Sequence, residues 1–157
     1  SRLACLFLVA LVPAQVAAAE RTFVAVDFDE IRVIGPHAVT VVASRATTVR
    51  GSGNREALDA LLVESRNRIL TIRTAGATVS DAERQPVRIT VTAPRLRAIR
   101  LNGSGAVRVA ELRGTQIEAS VAGGGTVSVA SIMADAAALK LSGSGSLSAQ
   151  VVSSRST

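Results

Sequence analysis

Leu101-Asn102-Gly103-Ser104-Gly105 returns as Val121-Ala122-Gly123-Gly124-Gly125 and again as Leu141-Ser142-Gly143-Ser144-Gly145, twenty residues on each time. The likeness extends past the glycines. Val107, Val127 and Leu147 fall at one place in the unit, Val109, Val129 and Ala149 at a second, Leu112, Ile132 and Val152 at a third. Upstream of the triplets, Ile117 and Ala119 correspond to Ala137 and Leu139. Apolar residues two apart, separated by small or polar ones, mark a strand with one buried face. Glycine between two such strands admits backbone angles that other residues avoid. Two or three short strands with tight corners can close one turn in about twenty residues and stack on copies of themselves, as solenoid repeats do. The expected fold is therefore all-β, a parallel β-helix-like solenoid of about twenty-residue Gly-x-Gly rungs. Gly103, Gly105, Gly123, Gly125, Gly143 and Gly145 are its structural turns. An antiparallel meander with evenly spaced hairpins is the alternative.

Working outward, the pattern loosens. Phe28, Ile31 and Val33 begin a strand that turns near Gly35-Pro36; Val39 and Val41 alternate next, and Val49 leads into Gly51-Ser52-Gly53. Asn54 can cap a short helix in which Ala57, Leu58, Leu61 and Leu62 share a face. Ile69 to Ile72 reads as another strand, Ala75 to Gln85 as a loop, and Val87, Ile89 and Val91 as a strand ending at Pro94. The expectation is a less regular N-terminal β region with one short helix, joined to the regular units.

The first residues differ from the rest. Leu3 to Val12 is an uninterrupted apolar run after Arg2, and Ala17-Ala18-Ala19 offers an Ala-x-Ala cleavage pattern. That is the layout of a secretory signal peptide over residues 1–19, leaving 20–157 as one exported domain. Such a run is too short to span a bilayer, which takes about 20 apolar residues. The chain carries 18 Lys and Arg against 12 Asp and Glu, a net charge of +6, and Lys140 is its single lysine. Arg84, Arg88, Arg95, Arg97, Arg100, Arg108 and Arg113 fall close together, opposed within that stretch only by Glu111. Arg95, Arg97 and Arg100 are the candidate contacts for an anionic ligand. Nucleic acid is a poor partner, because beyond the leader-like segment only Phe23 and Phe28 could stack on bases.

Taken in order, several segments resemble the auto-transporter adhesin head GIN domain family. They are Phe28-Asp29-Glu30-Ile31-Arg32-Val33-Ile34-Gly35, Val39-Thr40-Val41, Val49-Arg50-Gly51, Leu58 to Glu64, Leu70-Thr71-Ile72 and Val87 to Leu96. The resemblance covers roughly residues 23–148 and rests on the order of the elements. It implies an exported, β-helix-like domain with no assigned activity. Two departures stand out. Ala106, Thr126 and Ser146 occupy a position where family repeats often carry an acid, and the chain stops partway through a third unit. The latter gives the expectation that it continues beyond Thr157.

Chemistry-bearing motifs are few. Gly51-Ser52-Gly53 and Gly103-Ser104-Gly105 lack both a third spaced glycine and a Gly-Lys-Ser/Thr ending, so they do not read as phosphate loops. Calcium β-rolls repeat every nine residues with an Asp among the glycines, unlike these triplets. His37, the only histidine, reads as a turn residue, and Asp27, Asp29 and Glu30 as a solvated strand edge. No cofactor and no metal is expected. The reading is an exported cell-envelope module, structural or adhesin-like, binding without catalysis. Its partner would be an envelope glycan, lipopolysaccharide or a surface protein, in the periplasm, on the outer-membrane surface or outside the cell. The alternatives are a β-helix enzyme acting on acidic polysaccharide and the ectodomain of an envelope-stress sensor.

Overall fold

The computed structural model describes residues 19–76, 80–81 and 85–151; the signal-peptide expectation lies outside them up to residue 18. Alternating apolar residues build twelve strands: β1 (Ala19–Phe23), β2 (Glu30–Ile34), β3 (Ala38–Ala43), β4 (Thr48–Gly53), β5 (Leu61–Arg66), β6 (Ile69–Thr74), β7 (Arg88–Ala93), β8 (Ala98–Asn102), β9 (Ala106–Val109), β10 (Leu112–Ala122), β11 (Thr126–Ser142) and β12 (Ser146–Val151). One short helix, α1 (Arg55–Asp59), begins as the sequence suggests. Asn54 Oδ1 accepts the Glu56 and Ala57 N–H groups, while Leu61 and Leu62 have already passed into β5.

The strands form one mixed sheet in the order β1-β4-β7-β3-β9-β11-β10-β8-β2-β6-β5, with β12 beside β11. Here the solenoid expectation is corrected. The fold is a nearly closed barrel of eleven strands, not a parallel β-helix. Antiparallel pairs β1–β4 and β4–β7 at one end of the order and β5–β6 at the other flank the parallel ones. The N-terminal elements are not an appendage either. β2 lies between β6 and β8, and β3 between β7 and β9, in the middle of the order. The twenty-residue spacing survives only as the local register of the C-terminal strands, which sets Val107 beside Val127, Val127 beside Leu147 and Val121 beside Leu141.

Both sides of the barrel turn their apolar rows inward. On one, Leu70, Ile31, Ile99 and Ala119 lie in a row across four strands, next to Ile72, Val33, Leu101 and Val121. On the other, Ile89, Val39, Val107 and Val127 run beside Val91, Val41, Val109 and Val129. All sixteen are buried in a single core. β11 holds the sides together, since Thr126–Val129 pairs with β9 and Ile132–Ser142 with β10. The free ends of the order, β1 and β5, are bridged by α1. The helix packs on β1 and β4, buries Ala57 and Leu58, and runs directly into β5.

The chain changes sides at stacked glycine corners. Gly103, Gly123 and Gly143 hold φ of +128, +108 and +106°, a region that a side chain resists. A Cβ on Gly103 would lie 2.9 Å from the Gly35 carbonyl oxygen, and one on Gly105 would collide with the His37 carbonyl. Gly35-Pro36-His37 is thus the first corner of the stack, between β2 and β3.

Candidate binding groove

Where β2, β8 and β10 begin, away from the glycine corners, the short segments Asp29, Arg95–Arg97 and Arg113–Gln116 come together. The backbone fixes them. Asp29 O accepts the Arg97 and Ala98 N–H groups, Asp29 N–H donates to Arg68 O, and Arg113 N–H donates to Leu96 O. Gly114 and Gln116 stay in register with Ala134 and Ala136 of β11, and with Thr115 between them they line one side of the groove. The resulting groove of about 460 Å³ is lined by Asp29, Arg68, Arg95, Arg97, Arg113 and residues 114–116 of β10.

Its electrostatics are uneven. Asp29 Oδ2 lies 3.1 Å from both Arg68 Nε and Arg97 Nε. Burial pushes the Asp29 carboxyl up, but the hydrogen bonds and charges of Arg97 and Arg68 together outweigh it and hold it below the usual carboxylate range. Arg113 Nε is 2.8 Å from Glu111 Oε1. Arg95 is exposed and has no ion pair among the described residues. Four guanidinium groups therefore meet two carboxylates, with one cation left for a ligand.

Of the three arginines singled out in the sequence, the structure brings Arg95 and Arg97 together and puts Arg100 elsewhere. Arg100 stands on the outer face of β8, 3.2 Å from Glu30 and 3.3 Å from Glu118. Glu118 also reaches Lys140 at 3.7 Å, and Glu30 reaches Arg32 at 3.0 Å. Arg68 and Arg113 complete the groove and went unnoticed. Arg68 comes from the β5–β6 turn at positive φ, far from the others in sequence. The acidic cluster needs correction too. Asp27 is exposed and precedes β2, but Asp29 and Glu30 are largely buried and ion-paired, not a solvated edge. An acid beside an apolar Phe28 next to many arginines was the available signal.

His37 is fully buried. Val87 N–H donates to its Nδ1 at 3.3 Å, so Nε2 carries the proton and donates to Thr74 Oγ1, 3.1 Å away. Burial lowers its pKa. Among the described residues no group of three or more His, Cys, Asp or Glu could hold a metal ion, and no helix is long and apolar enough to cross a membrane.

The family model described as "Putative auto-transporter adhesin, head GIN domain" matches residues 27–152. The chain belongs to this family. No curated protein matches it. Among solved structures, this head GIN domain is similar to a putative lipid binding protein from Parabacteroides distasonis, with 18% identity and a TM-score of 0.58, over 88% of this chain and 68% of that one. It is also similar to a putative adhesin from Parabacteroides distasonis, with 17% identity and a TM-score of 0.60, over 87% of this chain and 66% of that one. The chain thus spans about two thirds of the length of these structures. At this identity the likeness shows the all-β fold that the head GIN domain adopts. The groove and its arginines are features of this chain's own sequence.

Proposed function

We propose that this head GIN domain is an adhesin-like binding module of the cell surface, and that its groove takes a carboxylate or phosphate group of an acidic envelope glycan. The observation that carries the reading is Arg95. It is an exposed guanidinium beside Arg97 with no ion pair among the described residues, in a groove whose other cations are already held by Asp29 and Glu111. A guanidinium fork presents paired donors that match a carboxylate or phosphate. The family description supports an adhesin-like role, and the leader-like run Leu3 to Val12 supports export. The rival, a polysaccharide-cleaving site at the acidic cluster, is disfavoured by Asp29's chemistry. A carboxylate held by two arginines, with its pKa lowered, is a weak base.

Calorimetric titration with polygalacturonate fragments and with lipopolysaccharide-derived oligosaccharide tests this. Binding is expected to weaken as salt is raised and to fall about tenfold in Arg95→Ser, with the melting temperature unchanged. Full binding by Arg95→Ser would remove the groove from the reading.

A further inference from the structure

The two outer faces of the barrel carry similar rows of residues with one difference. On the side of β6, β2, β8, β10 and β11, one row across the strands reads Thr71, Arg32, Arg100, Ser120, Lys140. The next row supplies Glu30 and Glu118, which hold all three cations in ion pairs. On the opposite side, across β4, β7, β3, β9 and the start of β11, a row reads Arg50, Thr90, Thr40, Arg108, Ser128. Its neighbour reads Ser52, Arg88, Ala38, Ala106, Thr126, with no acid in either row. The residues that alternate with these are buried, so both rows face outward. Arg50, Arg88 and Arg108 are exposed and have no ion pair among the described residues.

We propose that this second face binds an extended acidic glycan laid across the strands. It stands on residues separate from the Arg95 groove, since Arg95 follows β7 and belongs to neither row. Charge complementarity selects an anionic partner, and the spacing selects a polymer. Strands lie about 4.8 Å apart, which puts the Arg50 and Arg108 backbones about 14 Å apart and Arg88 about 8 Å from Arg50. A small anion cannot span Arg50 to Arg108, whereas a chain with a carboxylate on successive units can. The positions between the cations are hydroxyls, Thr90 and Thr40, which can donate to and accept from sugar hydroxyls. Arg108 itself stands in a surface hollow of about 590 Å³ lined also by Thr40, Ser128, Ala106 and Ala110, small enough side chains to let a ring approach the sheet. A lipid surface fits less well. Peripheral membrane contacts bury an apolar face among the headgroups, and here Val42, 41% exposed, is the one large apolar side chain exposed on this face.

Calorimetric titration with polygalacturonate and with a galacturonate dimer, which is too short to join Arg50 to Arg108, tests the face. At low salt, Arg50→Ser with Arg108→Ser should weaken polymer binding about tenfold and leave the dimer's affinity and the melting temperature unchanged. Arg55→Ser with Arg66→Ser removes the same net charge from exposed positions off this face and should change polymer binding by less than about twofold. Polymer binding undiminished in the Arg50–Arg108 variant overturns the proposal. An equal loss in the Arg55–Arg66 variant does so too, since it would reduce the effect to net charge. Arg95→Ser, titrated in parallel, separates the two sites. A loss confined to Arg95→Ser would keep the groove and remove the face, and a loss confined to the Arg50–Arg108 variant would do the reverse. Sedimentation with vesicles of phosphatidylcholine and phosphatidylglycerol reads the remaining case. Vesicle binding that is lost in the Arg50–Arg108 variant, without polymer binding, would assign the face to a membrane and refute the glycan.

Discussion

His37 shows how one residue can carry a role its neighbours in sequence do not announce. Aligned by register, Ile31 to Val41 matches Ile99 to Val109, and His37 stands where Gly105 stands. A side chain fits there because β6 and β7, the strands outside β2 and β3, are joined by the long 75–87 connection, and among the described residues no tight corner stacks on His37 from that side. The imidazole fills the space and bonds Thr74 at the end of β6 and Val87 just before β7. Sequence reading made His37 a turn residue because nothing local signals burial. Its pKa is lowered in the fold, so between the unfolded value near 6.5 and the lowered folded value the unfolded chain binds more protons. The His37 contribution is complete above about pH 6.5 and declines as pH falls through that window. The melting temperature should drop on acidification from neutral pH toward pH 5, and His37→Gln should flatten the drop while costing about 1–3 kcal/mol at neutral pH. Scanning fluorimetry with an external dye, run across that range, reads both effects. Asp29 acts in a separate window. Its lowered pKa adds stability above the unfolded carboxyl value near 3.9, which is lost only as pH falls below it.

At the scale of elements, the glycine corners were legible and their partners were not. Twenty-residue spacing picked out Gly103, Gly123 and Gly143, all at positive φ in the structure. It missed Gly35-Pro36-His37, because β4, α1 and β5 to β7 intervene and set the β2–β8 offset at a value that is no multiple of twenty. Strand alternation announced β3, β7 and β9, whereas the antiparallel places of β1, β4 and β5 depend on which edge is free, a property of no single segment. The groove was half legible for a similar reason. Arg95 and Arg97 are near neighbours in sequence, while Arg68 arrives through strand pairing. The corner geometry makes a sharp contrast between two glycines. Gly105→Ala drives a methyl group into the His37 carbonyl and should cost about 2–4 kcal/mol, while Gly124→Ala, with only Ser144 Oγ at 3.7 Å, should stay within about 0.5 kcal/mol. Urea unfolding of the two variants under identical conditions gives the comparison, and equal midpoints would contradict the stacked-corner account.

For the molecule as a whole, in-and-out alternation is common to a solenoid and a barrel, so the sequence specified the layers without specifying their closure. Apart from the β5–β6 hairpin, every strand pair joins residues about twenty or more positions apart. Loop closure must therefore precede most of the stabilising contacts, which slows folding. Refolding followed by stopped-flow circular dichroism, the suitable probe for a chain with no Trp or Tyr, should take milliseconds to seconds. A microsecond phase accounting for the whole signal would be inconsistent with this topology.

The strand order also sets how the domain bears load. β1 and β12 stand at opposite ends of one continuous run, β1-β4-β7-β3-β9-β11-β12. Tension between Ala19 and Val151 would cross that run at right angles to the strands and meet its hydrogen bonds one ladder after another. A tether attached this way yields by peeling from its margins, at a force set by the weakest outer ladder and by the rate of unfolding.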